Sequence, residues 1–230
     1  GFSAGLSKGG YIPIVHSITP FLILRALEQI KIDLVYNKLS CNIVSVGASN
    51  DYSKLGTTHH CFEDISILSN YNDINLFLPS SPQELEYLLQ KNYNNKEINY
   101  FRISENIDRK KVKKNSYLKF NKHNKLVIIV GNAISENSLI DQKNDIYYIN
   151  SFTKNMNFDF IKSYKSIIII EPYFGSILER KIRKKKFLKN KILTIGYNET
   201  IVHKYGNKKN QDSYLNFNEK KILKKINEFN

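Results

Sequence analysis

Two residues of this chain pair a useful side chain with a position at a predicted helix start. His59 closes a Gly-Thr-Thr-His run, and a neutral imidazole near pH 7 can donate a proton to, or accept one from, a hydroxyl group. Phe21 opens a helical pattern, and its aromatic face can stack on a flat heterocycle. Taken alone, His59 is more simply explained as a helix-capping or core histidine, and Phe21 is equally well explained as a core residue.

Two other groups of residues suggest different chemistry. Residues 1–5 have the G-x-S-x-G spacing of a hydrolase nucleophile elbow, but no strand precedes them, and a closely packed helix of small residues explains them better. The His-His-Cys run at residues 59–61, with Cys41, contains zinc-binding side chains. Three consecutive ligands rarely converge on one tetrahedral ion, and no C-x-x-C or H-x-x-x-H spacing is present. We therefore expect no metal site in this chain.

The elements that must position these residues alternate between short apolar strands and amphipathic helices. The patterns predict strands at residues 11–15, 42–46, 74–78, 99–103, 126–130, 146–149, 167–170 and 192–195, and helices at residues 20–34, 61–69, 82–90, 176–188 and 219–229. We expect Thr19 to cap the first of these helices, and Ser81 to form a capping box with Glu84 at the third.

Such βαβ alternation predicts parallel sheets that are covered by helices on both faces. We expect an α/β protein of two consecutive parallel-sheet domains, residues 1–104 and 125–230, joined by a polar, basic linker at residues 105–124. Arg109 to Lys114 is interpreted as an exposed part of that linker. Ligands of open α/β sheets gather beyond the carboxyl ends of strands, where residues 17–25 and 47–64 lie.

At these two segments the chain resembles the pyrimidine-binding domain of transketolases, particularly the split-gene type. The resemblance rests on the order and spacing of several short motifs: Arg-Ala-Leu-Glu-Gln-Ile at residues 25–30 with Asp33, then Gly56, Thr58 and His59 of a G-P-T-H pattern, then Glu63 and Asp64. It covers about the first hundred residues well. It extends more weakly into the second half, which it identifies as a transketolase C-terminal domain.

The resemblance implies the carboxy-terminal portion of a thiamine-diphosphate-dependent transferase that moves a two-carbon ketol unit between sugars. Phe21 would stack on the aminopyrimidine ring of the cofactor, in a pocket that Ile18 and Leu24 complete. His59 would be the catalytic histidine that faces the donor sugar.

The resemblance also implies that Mg²⁺ (or Ca²⁺) and the diphosphate are bound outside this chain, by an amino-terminal domain or a partner chain. The family's proton-donating glutamate lies upstream of residue 1. We therefore expect the chain to be inactive alone. We expect it to assemble as a homodimer, or as a heterotetramer with an amino-terminal diphosphate-binding subunit.

Three positions depart from the family pattern. Leu55 stands where the family has an acidic residue that contacts the donor's hydroxyls, and Gly47 stands where many members have histidine. Glu105 follows Ser104 where the family usually has an arginine that binds the acceptor's phosphate, and a carboxylate repels phosphate. We interpret these changes as altered specificity, for an unphosphorylated or nucleotide-linked sugar, or as a degenerate paralogue.

Other members of the cofactor family and another class of protein stay open as alternatives. Deoxyxylulose-phosphate synthase and the β subunit of 2-oxoacid dehydrogenases share the pair of domains, although the spacing from Phe21 to Arg25 favours the transketolase type. A noncatalytic interaction subunit is the alternative from a different class. The upstream sequence would discriminate, since a G-I-x-E-x-N motif indicates an enzyme.

Composition argues against nucleic-acid and membrane partners. The formal net charge is +14, but only five of the 35 basic residues are arginine, the residue that sequence-specific readers favour. The longest apolar runs are too short to span a bilayer. Two cysteines, Cys41 and Cys61, provide no disulfide framework and suit a reducing compartment, so we expect a cytoplasmic protein.

Overall fold

The computed structural model describes residues 1–105, 117–119, 123–139, 144–154, 156–184 and 190–229. In these residues the strands are β1 (Ile14–Ile18), β2 (Cys41–Val46), β3 (Ile74–Phe77), β4 (Ile98–Arg102), β5 (Tyr117–Lys119), β6 (Lys125–Val130), β7 (Asp145–Ile149), β8 (Ser151–Phe152), β9 (Ser166–Phe174) and β10 (Lys191–Tyr197). The helices are α1 (Phe2–Lys8), α2 (Thr19–Leu22), α3 (Leu27–Gln29), α4 (Asp64–Leu68), α5 (Pro82–Asn92), α6 (Ile177–Arg183), α7 (Lys208–Tyr214) and α8 (Glu219–Glu228). A π-helical segment, Ile30–Tyr36, continues α3.

The first sheet has the order β1-β2-β4-β3-β8. Its first four strands are parallel, and β8 pairs antiparallel with β3 at one edge. Every residue of β3 and β4 is buried, as expected for the middle of a covered sheet. The two-residue strand β8 comes from the second half of the chain, so the first sheet is completed by residues beyond the predicted first domain.

The second sheet has the order β10-β9-β6-β7-β5, with β5 antiparallel at its edge. Residues 167–170 of β9 are four consecutive isoleucines with no exposed surface, because helices cover both faces of a central parallel strand. The predicted α/β class, with a parallel-sheet unit in each half, is therefore confirmed.

The two halves pack closely against each other. The Leu78 amide donates to the Asn150 carbonyl at 2.7 Å, and the Phe174 amide donates to the Phe62 carbonyl at the same distance. A hydrophobic cluster runs across both sheets, from Leu76 to Ile128 and Ile169. The chain thus has one continuous core between its halves.

Three predicted boundaries in the first half are wrong. The strand predicted at residues 11–15 begins at Ile14, where pairing with Asn42 starts. The helix predicted from residue 61 begins at Asp64, because the backbone of Cys61 pairs with Ser49. Thr19 does not cap α2, since its hydroxyl donates to the Val46 carbonyl at 2.8 Å.

The predicted capping box of α5 is half formed. The Ser81 hydroxyl accepts from the Glu84 amide at 3.2 Å, as expected. The Glu84 carboxylate accepts instead from the Ser80 amide at 2.9 Å and from the Tyr148 hydroxyl at 2.7 Å. A tyrosine of the second half has therefore taken the place of the local partner.

The second half contains elements that the sequence patterns did not predict. Strand β5 lies within the segment that was expected to be linker, and helix α7 lies in a polar stretch without apolar periodicity. Residues 109–114, and residues 185–188 of the helix predicted at 176–188, lie outside the described residues. In the part of the chain that the structure describes, no helix is long and apolar enough to cross a bilayer, and no three His, Cys, Asp or Glu side chains form a metal-binding group.

Candidate functional site

Phe21 and His59 lie side by side at one edge of the first sheet. Their ring centroids are 5.2 Å apart, with an interplanar angle of 69° in an edge-to-face arrangement. Helix α2 carries Phe21 directly after β1, and the 3₁₀ turn Thr57–His59 belongs to the segment that follows β2. Because β1 and β2 are parallel neighbours, both segments leave the sheet at the same edge. Both rings are half-buried, so each keeps an accessible surface.

The imidazole of His59 is oriented by its neighbour. The Thr58 hydroxyl lies 2.9 Å from Nδ1, and the His59 amide donates to the Gly56 carbonyl at 3.0 Å. If the hydroxyl donates to Nδ1, Nε2 carries the proton and can donate to a ligand; if Nδ1 donates, Nε2 accepts. In either tautomer Nε2 is the nitrogen that Thr58 does not engage.

The surroundings of Phe21 are apolar on its own helix and cationic on one face. The Arg25 guanidinium lies 4.6 Å from the centroid of the Phe21 ring, a cation–π contact. Ile18 and Leu24, the other predicted pocket residues, are half-buried beside it in sequence. Since Arg25 covers one face, a flat ligand would meet the other face or the free edge of the ring.

The loop that carries His59 is built around glycine at two points. Gly47 has φ +78°, and a Cβ there would lie 2.5 Å from the Tyr52 ring. Gly56 has φ +80°, and a Cβ there would lie 2.8 Å from the Tyr205 ring. Neither position accepts a side chain without strain and displacement of an aromatic ring. Leu55, the predicted substrate-binding residue, precedes Gly56 and is 56% exposed.

The other predicted specificity position lies at the end of β4. Glu105 is exposed, and its amide donates to Asp51 Oδ2 at 3.0 Å, while Ser104 is buried. The Glu105 side chain therefore stands at the surface, at the rim of a cleft between the halves.

A buried ion pair that sequence analysis missed lies beneath this edge. Arg102 Nε is 2.7 Å from Asp64 Oδ2, which also accepts from the Tyr100 hydroxyl at 2.6 Å. Arg102 Nη2 donates to the Ser49 hydroxyl at 2.7 Å, and Ser49 donates to the Pro172 carbonyl at 2.6 Å. Burial alone would lower the pKa of Arg102, but the adjacent carboxylate of Asp64 outweighs it and raises the pKa. An arginine in an otherwise apolar strand was the signal available in the sequence.

Two acidic or basic groups near the site have shifted pKa values. Burial lowers the pKa of His60, which keeps this second imidazole neutral near pH 7. Burial also raises the pKa of Glu63. Neither group lies with Phe21 at the accessible edge, so His59 is the imidazole that can meet a ligand there.

The largest cavity lies elsewhere. A half-open cleft of about 950 Å³ separates the two halves and is lined by Asp51, Arg102, Glu105, Lys208 and Asp212 among others. Phe21 and His59 do not line it. We place the candidate site at the Phe21–His59 edge, because an accessible aromatic ring and a proton-transferring group meet there, whereas the charged side chains in the cleft pair with one another.

Comparison of sequences identifies relatives of the first half. The family model described as "Transketolase, pyrimidine binding domain" matches residues 1–109. A subunit of the apulose-4-phosphate transketolase of Actinobacillus succinogenes is 36% identical over 89 residues, which are 39% of this chain and 29% of the relative. The 6-deoxy-6-sulfo-D-fructose transketolase subunit SqwH of a Clostridium species is 31% identical over 85 residues, which are 37% of this chain and 26% of that protein. The matched part thus spans less than a third of either relative.

Comparison of structures extends the likeness to the whole chain. The solved structure titled "Split gene transketolase, inactive beta4 tetramer" superposes with a TM-score of 0.81 at 15% identity, over 97% of this chain and 78% of that one. Transketolase of Campylobacter jejuni superposes with a TM-score of 0.75 at 16% identity, over 97% of this chain and 37% of that one. At these identities the likeness establishes the fold of both halves.

Proposed function

We propose that this chain, whose residues 1–109 form a transketolase-like pyrimidine-binding domain, is the carboxy-terminal portion of a split transketolase-like enzyme. The enzyme would transfer a two-carbon ketol unit between sugars with thiamine diphosphate. The observation that carries the proposal is the 5.2 Å edge-to-face contact of Phe21 and His59 at an accessible sheet edge. A ring-binding group and a proton-transferring group are thereby brought to one surface.

The residues at this edge fit the ring end of thiamine diphosphate. Phe21 has one face covered by Arg25 and a remaining surface for an aminopyrimidine ring, and Ile18 and Leu24 supply aliphatic contacts. Thiamine diphosphate, when bound, supplies the carbon nucleophile and the electron sink for cleavage beside the ketose carbonyl. His59 would hold a sugar hydroxyl through Nε2 and move its proton, with Thr58 fixing the ring.

A separate amino-terminal polypeptide would bind the diphosphate and its Mg²⁺ or Ca²⁺. The chain offers no group of three metal-binding side chains in its described residues, and the relatives from two organisms are named as single subunits of transketolases. We propose that the chain is inactive alone and acts as a homodimer or heterotetramer with that polypeptide. Buried, unpaired Cys41 and Cys61 suit a cytoplasmic location.

The sugar substrate would differ from that of ordinary transketolases. Leu55 offers no carboxylate to donor hydroxyls, and Glu105 would repel an acceptor phosphate. Gly47 cannot be replaced by histidine without moving Tyr52. Relatives named for apulose 4-phosphate and for 6-deoxy-6-sulfo-D-fructose support unusual sugars in this group of proteins.

Calorimetry with the amino-terminal transketolase polypeptide from the same genome tests the proposal. We expect no measurable binding of thiamine diphosphate with Mg²⁺ to this chain alone, and tight binding to the mixture. F21A should weaken binding to the mixture, whereas F2A, at a phenylalanine that is 84% exposed, should leave it unchanged. Binding by the chain alone, or equal binding by F21A and wild type, would contradict the proposal.

Turnover of a panel of sugars tests the specificity. The mixture should use unphosphorylated acceptors better than phosphorylated ones, and E105R should shift this preference towards phosphorylated acceptors. Ordinary turnover of xylulose 5-phosphate with ribose 5-phosphate would refute altered specificity. Tight cofactor binding without turnover of any sugar would instead favour the noncatalytic alternative.

A further inference from the structure

We propose that the second half of the chain positions His59, by clamping the tip of the loop that carries it. The loop, residues 48–60, is closed at its base within the first half by the backbone pair Ser49–Cys61. Its tip is held by residues 197–212 of the second half. The proposal rests on the role proposed above for His59, and it assigns Thr57 and Lys208 as positioning residues.

The first contact of the clamp lies two residues from His59. The Thr57 hydroxyl donates to the Val202 carbonyl at 2.9 Å. Tyr205 then packs against Gly56, where the absence of a side chain allows the close approach. The 3₁₀ turn Thr57–His59 is therefore held on one side by the chain segment that follows β10.

The second contact is centred on the ammonium group of Lys208. Its Nζ donates to Asn50 Oδ1 at 2.6 Å and lies 3.6 Å from Asp51 Oδ1 and 3.6 Å from Asp212 Oδ2. The Asn50 amide in turn donates to Asp212 Oδ1 at 2.9 Å. Asn50 has no exposed surface, and the Asp51 side chain is 1% exposed, so these interactions are weakly screened by solvent.

The third contact holds the middle of the loop. Gln211 is fully buried, and its amide donates to the Ser53 carbonyl at 3.4 Å and to the Lys204 carbonyl at 2.9 Å. The clamp thus reaches the loop at its beginning, middle and end, and each contact comes from the same short stretch of the second half.

The loop's own structure would not fix His59 as firmly. Its regular parts are the three-residue 3₁₀ turns Ser53–Leu55 and Thr57–His59, and such turns have poorer hydrogen-bond geometry than an α-helix. A reacting group that moves by about 1 Å can lose on the order of 10²-fold in rate. Loosening the clamp is therefore expected to reduce turnover without removing any group from the site.

Nuclear magnetic resonance of the full 230-residue chain tests the clamp directly. With labelled histidine and phenylalanine, we expect T57V and K208M each to shift the His59 ring resonances and to weaken the Overhauser contact between His59 and Phe21. K209M makes the same charge change at the next, exposed residue of α7 and should leave both signals unchanged. T57S keeps the hydroxyl and should restore the wild-type spectrum.

The stacked rings of Phe77 and Phe101, 4.8 Å apart in the first half, provide the folding control. Their resonances should not change in either variant. His59 signals that match wild type in both T57V and K208M, with the core intact, would overturn the clamp. So would equal changes in K208M and K209M.

Kinetics of the assembled enzyme separate the clamp from the proposed function. T57V and K208M should lower kcat for the donor sugar about tenfold or more, while the Kd of thiamine diphosphate stays within about twofold. A fall in cofactor affinity equal to the fall in kcat would contradict a positioning role. If the assembled wild type turns over no sugar, the proposed function fails, and the resonance experiment still decides whether the second half holds His59.

Discussion

Replacing Arg102 with methionine should destabilise the chain strongly, although the side chain touches no part of the candidate site's surface. Arg102 and Asp64 form a 2.7 Å ion pair in which the side chains are 2% and 0% exposed. Methionine keeps most of the side-chain volume, so the change mainly removes charge and hydrogen bonds. The Asp64 carboxylate would then be buried with the neutral Tyr100 hydroxyl as its donor at 2.6 Å.

The expected loss follows from the burial of the pair. Removing one partner of a buried ion pair costs about 3–5 kcal/mol, because the remaining charge stays desolvated without compensation. For a chain of this size, that loss should lower the Tm by roughly 10 °C, at about 2–4 °C per kcal/mol. The loss should also loosen Ser49, whose hydroxyl connects Arg102 to the Pro172 carbonyl of the second half.

Urea unfolding of the single variants R102M and D64N and of the double variant measures this loss. We expect the double variant to be more stable than the sum of the two single losses predicts, by about 2 kcal/mol, since no lone charge remains. The control is R183M, because Arg183 pairs with Glu179 at the same 2.7 Å but with side chains that are 52% and 22% exposed. That exposed pair should contribute about 0.5 kcal/mol or less. The reasoning fails if R102M costs no more than R183M, or if the two losses simply add.

Three further changes test the site and the fold. H59N should lower kcat/KM of the assembled enzyme on the order of 10²-fold while the Kd of thiamine diphosphate changes little, and a wild-type rate would exclude His59 as the proton-transferring group. F21A should weaken thiamine diphosphate roughly tenfold, or about 1.4 kcal/mol, by equilibrium dialysis, and an unchanged Kd would remove Phe21 from the ring pocket. Burial raises the pKa of Glu171 from 4.5 to about 7, so the folded chain keeps this proton to a higher pH than the unfolded chain, and stability is lost as the pH rises from 4.5 to 7. That loss should be about 3 kcal/mol at most, and E171Q should flatten it; an equal slope in wild type and E171Q would assign the pH dependence to other groups.

The strands were predictable because they are short apolar runs between polar loops. The runs at residues 126–130 and 167–170 appear in the structure as the buried central strands β6 and β9. Helix α5 was predictable because Ser81 and Pro82 mark its start locally. Local chemistry thus determined most elements and the α/β class.

The remaining features depend on contacts between residues distant in sequence. The start of α4 is set by the pairing of Cys61 with Ser49, and β8 exists because it finds β3, far earlier in the chain, at an open sheet edge. Helix α7 has no apolar face that a periodicity search detects, since its buried residue is Gln211. No pattern in a single sequence reports such partners.

The same division applies to the site. Phe21 and His59 were selected by their motifs, and the parallel pairing of β1 with β2 accounts for their meeting at one edge. Their roles, and those of Ile18, Leu24 and Leu55, stay predictions. The ion pair of Arg102 and the contacts of Lys208 were not foreseen, because each joins residues from different parts of the chain.

The short strand β8 has a practical consequence for anyone who wishes to transplant this region. It covers the edge of β3, so a piece ending near residue 104 would leave the backbone of Leu76 and Phe77 open to pairing with another molecule. Such a piece would be prone to self-association even if every residue of its own sheet were intact. The portable unit is therefore both halves together, and hybrids between relatives should exchange the chain from Phe2 to α8 as a single block.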